Sequence, residues 1–171
     1  TKYENPRIPV ILTHAMDNWP AMIKWQREAL IQQYGGRKLR VGDGFKMTIS
    51  RYFDYVDSQH EERPLYLFDD DVFDAIMPEA TSDFEVPEYF KEDFFELITD
   101  GRPPFRWMVV GTPRTGATFH TDPWQTSAWN ALIAGHKRWA LYPPGVKPPG
   151  VDVDIDDPDN VDDYNDDYSS P

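Results

Sequence analysis

The sequence predicts a single, mainly β domain with helices toward its front. After residue 105, four short apolar segments alternate with turn residues, and short strands at such spacing are typical of a sandwich or barrel. Before that point, several segments carry apolar residues at helical spacing instead. The 171 residues, 40% of them hydrophobic, are sufficient for one domain with a hydrophobic core.

The front of the chain begins with a short strand and a helix. An apolar run after a proline predicts a buried strand over 9–13. Apolar residues at helical spacing predict a helix over 19–34, which Gly35 and Gly36 end. The later front elements are two strands around a Gly-Asp-Gly turn, a helix, an extended segment and a second helical stretch: 39–41, 46–49, 50–57, 64–68 and 86–98.

The back of the chain contains strands and turns and then an acidic stretch. The four predicted strands span 106–110, 117–122, 128–134 and 138–142. Between 152 and 167, aspartates alternate with Val, Ile, Asn and Tyr and no periodic core pattern remains, which predicts a solvated loop. A calcium loop at 152–157 is disfavoured because the glycine at its sixth position and the closing glutamate are missing.

Composition argues against several classes of function. The formal charge of −13 argues against nucleic-acid binding, which needs clustered Lys and Arg, and favours a basic peptide as partner. Zero cysteines exclude disulfides and thiolate metal sites and fit a reducing compartment. No run of about twenty apolar residues and no charged-then-apolar opening segment are visible, so neither a membrane span nor a secretion signal is predicted.

His120 and Asp122 form the pattern most directly linked to chemistry. On the predicted strand 117–122 they are two residues apart and therefore project from the same face. An imidazole and a carboxylate in this arrangement, completed by a second and distant histidine, form the facial triad of non-haem Fe(II) oxygenases. His-x-Asp by itself also occurs in unrelated strands, where it is a satisfied surface or core pair.

The residues around this pair are more specific than the pair itself. Residues 105–145 read FRWMVVGTPRTGATFHTDPWQTSAWNALIAGHKRWALYPPG. This stretch resembles the Jumonji C domain family, and within it the branch of protein hydroxylases once misnamed the phosphatidylserine receptor. Segments 9–20, 64–69 and 86–90 are similar to earlier parts of the same family. The resemblance implies a double-stranded β-helix, the jelly roll of cupins, flanked by helices.

The resemblance also implies cofactors and residue roles. It implies Fe(II) as the metal, 2-oxoglutarate as cosubstrate and O2 as oxidant, with His120 and Asp122 as metal ligands. It implies that Lys137 binds the far carboxylate of 2-oxoglutarate. An ammonium buried on an apolar strand would in any case need an anion, whereas a rim lysine that reaches water is the alternative.

Three further residues are predicted near the cosubstrate. The resemblance places Asn130 beside it, with a turn or sheet-edge amide as the alternative. Tyr66 matches a tyrosine whose hydroxyl reaches the same carboxylate in the family, or else is an ordinary core tyrosine. Many relatives carry a threonine three positions before the first metal histidine, where this chain has Ala117. Thr118 shares strand parity with His120 and can compensate in part.

One metal ligand is missing from the sequence pattern. In the family, the second metal histidine lies well downstream of the acidic loop, and none of the other three histidines here is well placed to replace it. The 171 residues are therefore predicted to be the N-terminal part of a single Jumonji C domain. Its sections are a front part at 1–104, core jelly-roll strands with the metal site at 105–145, and the acidic loop at 146–171. The rest of the domain or a second chain would supply the third ligand.

The sequence therefore predicts an Fe(II)- and 2-oxoglutarate-dependent oxygenase that hydroxylates a protein side chain, with lysine favoured by similarity. Arginine hydroxylation and N-methyl demethylation are the nearest alternatives. A non-catalytic jelly-roll scaffold that binds basic partners and a metal cupin of another class, such as an isomerase, are further alternatives. The acidic charge favours a Lys/Arg-rich substrate. An intracellular location, nuclear or cytoplasmic, is expected.

Overall fold

The computed structural model describes residues 2–42, 44–98, 101–122 and 125–150, which form two compact units. The sheet unit comprises Thr13–Gly116 and Ala131–Gly135. The motif unit comprises Thr1–Leu12, Ala117–Asn130 and His136–Pro171, within the described ranges. The predicted acidic loop from residue 151 onward, including the disfavoured calcium loop, lies outside the described residues.

Two helices open the sheet unit where the sequence pattern predicts one. Helix α1 spans Ala21–Lys24 and helix α2 spans Arg27–Tyr34. The chain is extended at Gln26, between the two helices, with ψ at 149°. Next to this break, the Trp25 indole N–H donates to the buried Asp83 carboxylate at 3.1 Å. The helical span predicted over 19–34 is confirmed, but in two pieces.

Helix α3 spans Ile49–Ser58 and confirms the helix predicted over 50–57. Its start is capped by Thr48, whose hydroxyl accepts a hydrogen bond from the Arg51 N–H at 3.3 Å. Three of its apolar residues are buried on one side: Ile49, Tyr52 and Phe53. The start of α3 passes so close to the end of α2 that a Cβ added to Gly35 would lie 2.3 Å from the Ser50 hydroxyl.

Four short strands form one antiparallel sheet. They are β1 (Lys38–Val41), β2 (Phe45–Thr48), β3 (Leu67–Asp69) and β4 (Met108–Val110). Their order across the sheet is β2-β1-β3-β4. The turn between β1 and β2 uses Gly42 and Gly44 at φ of 56° and 107°, a backbone region that favours glycine. The strands predicted at these places are confirmed.

The hydrophobic core lies on one face of this sheet. Strand residues alternate across the two faces, and the buried face packs against α2, α3 and a π-helix at Val72–Ile76. A 3-10 turn at Pro78–Asp83 adds Ala80 to the core. Neither of these two elements was indicated by the sequence pattern. The core side chains are Leu30, Tyr34, Leu39, Val41, Ile49, Tyr52, Phe53, Leu67, Val72, Phe73, Met77, Ala80 and Met108.

Several predicted elements are wrong in this structure. The predicted strands at 9–13, 117–122, 128–134 and 138–142 have irregular backbone. A strand requires a neighbour for its N–H and C=O groups, and these segments have no such ladder among the described residues. The predicted helix over 86–98 is reduced to the 3-10 turns Glu88–Phe90 and Phe94–Leu97.

The predicted fold was a mainly β jelly roll with flanking helices. The described residues contain a fragment of it, an antiparallel sheet with flanking helices. The motif unit has no α-helix or paired strand in its described part, and Phe119 and Tyr142 meet edge-on at 5.7 Å within it. None of the helices in the described part of the chain has both the length and the apolar composition of a membrane span.

Candidate metal and cosubstrate site

The predicted metal ligands meet in segment 117–122 of the motif unit. His120 Nε2 lies 3.3 Å from Asp122 Oδ1. Both side chains are 41% exposed, so an ion in solution has access to them. The segment is not a paired strand, yet the two-residue spacing still brings the imidazole and the carboxylate together.

The Thr118 main-chain carbonyl determines which nitrogen of the neutral His120 ring carries the proton. The Nδ1–H of His120 donates to the Thr118 main-chain carbonyl at 2.7 Å. Because a carbonyl oxygen only accepts, the ring proton of neutral histidine resides on Nδ1, and Nε2 carries the lone pair that binds a metal. Metal-bound histidines often donate their second ring nitrogen in this way. This contact is made by the backbone of Thr118, whereas its predicted role concerns the hydroxyl.

The chemistry of this donor pair fits a divalent ion. With Nδ1 protonated, Nε2 and Asp122 Oδ1 are both acceptors, and at 3.3 Å they repel unless a proton or a cation lies between them. Two ligand atoms at right angles, each about 2.1 Å from one ion, are about 3.0 Å apart. The observed separation is close to that value. Imidazole and carboxylate are also ligands of the Fe(II) facial triad.

Lys137 stands over an aromatic ring in the same unit. Its Nζ lies 4.2 Å from the centroid of the Trp139 indole. Partial desolvation lowers the pKa of the Lys137 ammonium from its ordinary value. The residue as a whole remains exposed, so the ring shields one side of the ammonium while another side faces water. Lys137 therefore presents a partly dehydrated cation to an anion that arrives from solvent.

The two other predicted cosubstrate residues belong to different units. Asn130 lies in the motif unit, with its side chain exposed. Tyr66 lies in the sheet unit directly before β3, half-buried, and its ring meets Phe68 edge-on at 6.0 Å. The structure thus brings His120, Asp122 and Thr118 into contact. It places Asn130 and Lys137 in the same unit and Tyr66 in the other.

The other histidines do not join this pair. His14 binds the Asp17 carboxylate at 2.8 Å, and both side chains are largely exposed. His60 and His136 are exposed. Across the described ranges, no third histidine or acid forms a ligand cluster with His120 and Asp122.

An aspartate cluster in the sheet unit was not singled out from the sequence. The carboxylates of Asp69, Asp70 and Asp71 lie within 4.8 Å of one another. Asp69 is 1% exposed and accepts hydrogen bonds from the main-chain N–H groups of Arg40, at 2.6 Å, and Asp71, at 2.9 Å. The Arg40 guanidinium lies 3.0 Å from Asp70. Because these partners balance the acids, the cluster fixes the chain after β3. The run of three aspartates is visible in the sequence, but the burial of Asp69 could not be read from it.

Trp139 was likewise not singled out as a site residue. The sequence pattern places it in an apolar strand, whereas the structure leaves it 57% exposed beneath Lys137. The available signal was its spacing, because residues two apart on an extended segment share a side.

Most of this chain is similar to one protein-family model and to several known proteins. A family model described as a cupin-like domain matches residues 1–148. The arginine-specific demethylase JMJ22 of Arabidopsis thaliana is 46% identical over 151 residues, which cover 88% of this chain and 30% of the relative.

Two animal relatives are similar over most of the chain. The bifunctional arginine demethylase and lysyl-hydroxylase psr-1 of Caenorhabditis elegans is 41% identical over 149 residues, 83% of this chain and 37% of the relative. The 2-oxoglutarate and iron-dependent oxygenase JMJD4 of Mus musculus is 25% identical over 167 residues, 82% of this chain and 39% of the relative. The chain thus spans less than two fifths of the length of each of these three relatives.

Proposed function

Because this chain belongs to the cupin-like domain family, in its Jumonji C branch, we propose that it carries the metal- and cosubstrate-binding segment of an Fe(II)- and 2-oxoglutarate-dependent oxygenase that acts on a protein side chain. The observation that carries this proposal is the His120–Asp122 pair, with 3.3 Å between its ligand atoms and the ring proton held on Nδ1. The names of two relatives support it, because one is a 2-oxoglutarate and iron-dependent oxygenase and the other includes lysyl-hydroxylase.

In this proposal each residue has a separate task. His120 and Asp122 hold Fe(II), which when bound supplies the oxidative decarboxylation of 2-oxoglutarate to succinate and the activation of O2. Thr118 keeps the proton on His120 Nδ1, so that Nε2 stays a ligand. The third metal ligand comes from outside this sequence in the proposal, either from the remaining part of the domain or from a second chain.

The cosubstrate is held by polar groups of this chain. The Lys137 ammonium binds the far carboxylate of 2-oxoglutarate through a charge-assisted hydrogen bond. The Asn130 amide and the Tyr66 hydroxyl are the other proposed contacts. Ala117 lacks the hydroxyl that the family resemblance implies at this position, and the Thr118 hydroxyl is proposed to replace part of that contact.

The substrate class is a lysine side chain of a protein or peptide. The name of the psr-1 relative includes lysyl-hydroxylase, which supports this assignment. Arginine hydroxylation and N-methyl demethylation are the alternatives, supported by the arginine demethylases among the relatives. The formal charge of −13 favours a Lys/Arg-rich segment through electrostatic steering. An intracellular location, nuclear or cytoplasmic, belongs to the proposal because a chain with zero cysteines fits a reducing compartment.

A non-catalytic scaffold is the second candidate function. Ala117 favours it, because the Jumonji C resemblance implies a cosubstrate-binding threonine at this position, and alanine has no hydroxyl. In that case the protein would bind basic partners through its acidic surface. The joint presence of His120, Asp122, Asn130 and Lys137 favours the oxygenase, because a scaffold needs none of them.

Succinate release from 2-oxoglutarate separates these candidates. The full-length protein, loaded with Fe(II) under reducing conditions, is incubated with 2-oxoglutarate, O2 and a Lys/Arg-rich peptide. The oxygenase releases succinate, and one oxygen atom is added to the peptide at lysine or a methyl group is lost, both visible by mass spectrometry. A scaffold binds the peptide without either change. Iron-loaded protein that releases no succinate with any such peptide would refute the oxygenase.

A further inference from the structure

We infer that Trp139 is a positioning residue for Lys137, and that its indole face holds the lysine ammonium where it can receive a carboxylate. This inference rests on the proposed function, in which Lys137 binds the far carboxylate of 2-oxoglutarate. It assigns a role to a tryptophan that the sequence pattern did not single out as a site residue.

The contact itself has the geometry of a cation–π interaction. The Lys137 Nζ lies 4.2 Å from the ring centroid, inside the range of about 6 Å over which the negative face of an indole attracts a cation. Lys137 and Trp139 are two residues apart. The tryptophan therefore restricts the ammonium locally, without help from a distant part of the fold.

The exposure of Trp139 is the second observation. The Trp139 side chain is 57% exposed and the Leu141 side chain is 59% exposed, so among the described residues neither is packed in a core. A lysine side chain is flexible, and fixing it at the moment of binding costs conformational entropy. A ring beneath the ammonium removes part of that cost before the ligand arrives.

Hydration of the ammonium leads to the same conclusion. The ring covers one side of the charge, and burial of the side chain desolvates the ammonium and lowers the pKa of Lys137. A carboxylate that binds must otherwise displace water from the ammonium itself. The Lys137 ammonium is thus both positioned and partly dehydrated before an anion binds, and the side away from the ring stays accessible to that anion.

Binding of 2-oxoglutarate to the full-length protein tests this role. Calorimetry with Mn(II) in place of Fe(II) measures the Kd without turnover. We expect Trp139→Leu to weaken binding about fivefold, because a cation–π contact at an exposed site is lost. Trp139→Phe keeps an aromatic face and should stay within about twofold of the wild type. Leu141→Ala is the matched control, since it removes a similarly exposed apolar side chain from the same segment, and its Kd should not change.

A double-mutant cycle separates positioning from a structural role. If Trp139 acts through Lys137, Trp139→Leu should have no further effect once Lys137→Ala is present. An equal loss in both backgrounds would mean that Trp139 acts independently, and would overturn the inference. Equal binding by the wild type and Trp139→Leu would overturn it as well.

A second measurement needs no cosubstrate. Reductive methylation with 13C labels lysines and keeps their charge, and a methyl group over an indole is shielded by the ring current. The Lys137 signal, assigned by its loss in Lys137→Arg, should be shifted upfield in the wild type and should lose this shift in Trp139→Leu. An unshifted wild-type signal overturns the inference, even if Trp139→Leu does not fold.

The two proposals fail in different ways. Wild-type protein that shows the ring-current shift but does not bind 2-oxoglutarate refutes the proposed function, and with it the role of the contact. Wild-type protein that binds 2-oxoglutarate through Lys137, with Trp139→Leu unimpaired, refutes only the inference about Trp139.

Discussion

Replacing Tyr52 by phenylalanine tests how far the sheet unit depends on one buried hydroxyl. The Tyr52 side chain is fully buried in the core. Its hydroxyl donates to the Val110 carbonyl at 2.8 Å and lies 3.2 Å from the Leu65 carbonyl. It therefore ties helix α3 to the end of β4 and to the segment that carries Tyr66, so its loss should weaken the support of a proposed cosubstrate residue.

Two contributions set the magnitude. At neutral pH, Tyr52→Phe removes a donor and leaves a buried carbonyl without it, which should lower the free energy of unfolding by about 2 kcal/mol. Burial also raises the pKa of Tyr52 from 10.0 to about 12. The folded protein therefore keeps a proton that the unfolded chain releases. This stability is fully present below about pH 10, and about 3 kcal/mol of it is lost as the pH rises through 12.

Urea unfolding followed by tryptophan fluorescence, at neutral pH and at steps between about pH 10 and 12, measures both contributions. The wild type should be more stable than Tyr52→Phe at neutral pH. The difference should shrink in the alkaline range and reach or pass zero near pH 12, because the wild type loses about 3 kcal/mol there while phenylalanine has no proton to lose. Tyr89→Phe is the matched control, since Tyr89 is 76% exposed and should alter neither value. A difference that stays constant with pH would refute the reasoning.

The other predictions concern the site and one buried acid. Asp122→Ala should weaken metal retention at least about tenfold, measured as metal content after gel filtration, and unchanged content would contradict its role as ligand. Lys137→Ala should raise the 2-oxoglutarate concentration needed for half-maximal turnover about tenfold or more, with a smaller effect on kcat; an unchanged requirement would remove Lys137 from the cosubstrate site. Asp83→Ala should lower the free energy of unfolding by about 2 kcal/mol, because the acid is 1% exposed and binds Lys24 at 2.5 Å and Trp25 at 3.1 Å. Asp17→Ala, at an exposed acid, is its control, and an equal loss in both variants would contradict the importance of burial.

Local elements of the sheet unit could be predicted because their cause is local. Helix α3 has its apolar residues on one side and Thr48 at its start. The β1–β2 hairpin has glycines at the turn positions with positive φ. By contrast, the π-helix Val72–Ile76 could not be predicted, because its sequence has no distinguishing periodicity. It follows the acidic end of β3, and packing against the core stabilises it.

Strands in the second half could not be predicted in the same way. The side chains of 128–134 and 138–142 suggest extended segments, but pairing depends on a neighbour that is distant in sequence. The burial of charged side chains could not be predicted from the sequence either. Asp69 and Asp83 read as ordinary surface acids in the sequence, yet each is 1% exposed and bonded on both carboxylate oxygens.

The sequence by itself determined the family and the chemical identity of the candidate ligands, because both reside in residue types and short spacings such as His120-x-Asp122. The tertiary structure decided which atoms meet. It placed Nε2 of His120 next to the Asp122 carboxylate and fixed the ring proton through Thr118, and it set Trp139 under Lys137. Spacing restricts which side chains share a side, but the distance between two atoms depends on backbone angles and on the water each group loses, and these are set only when the chain has folded.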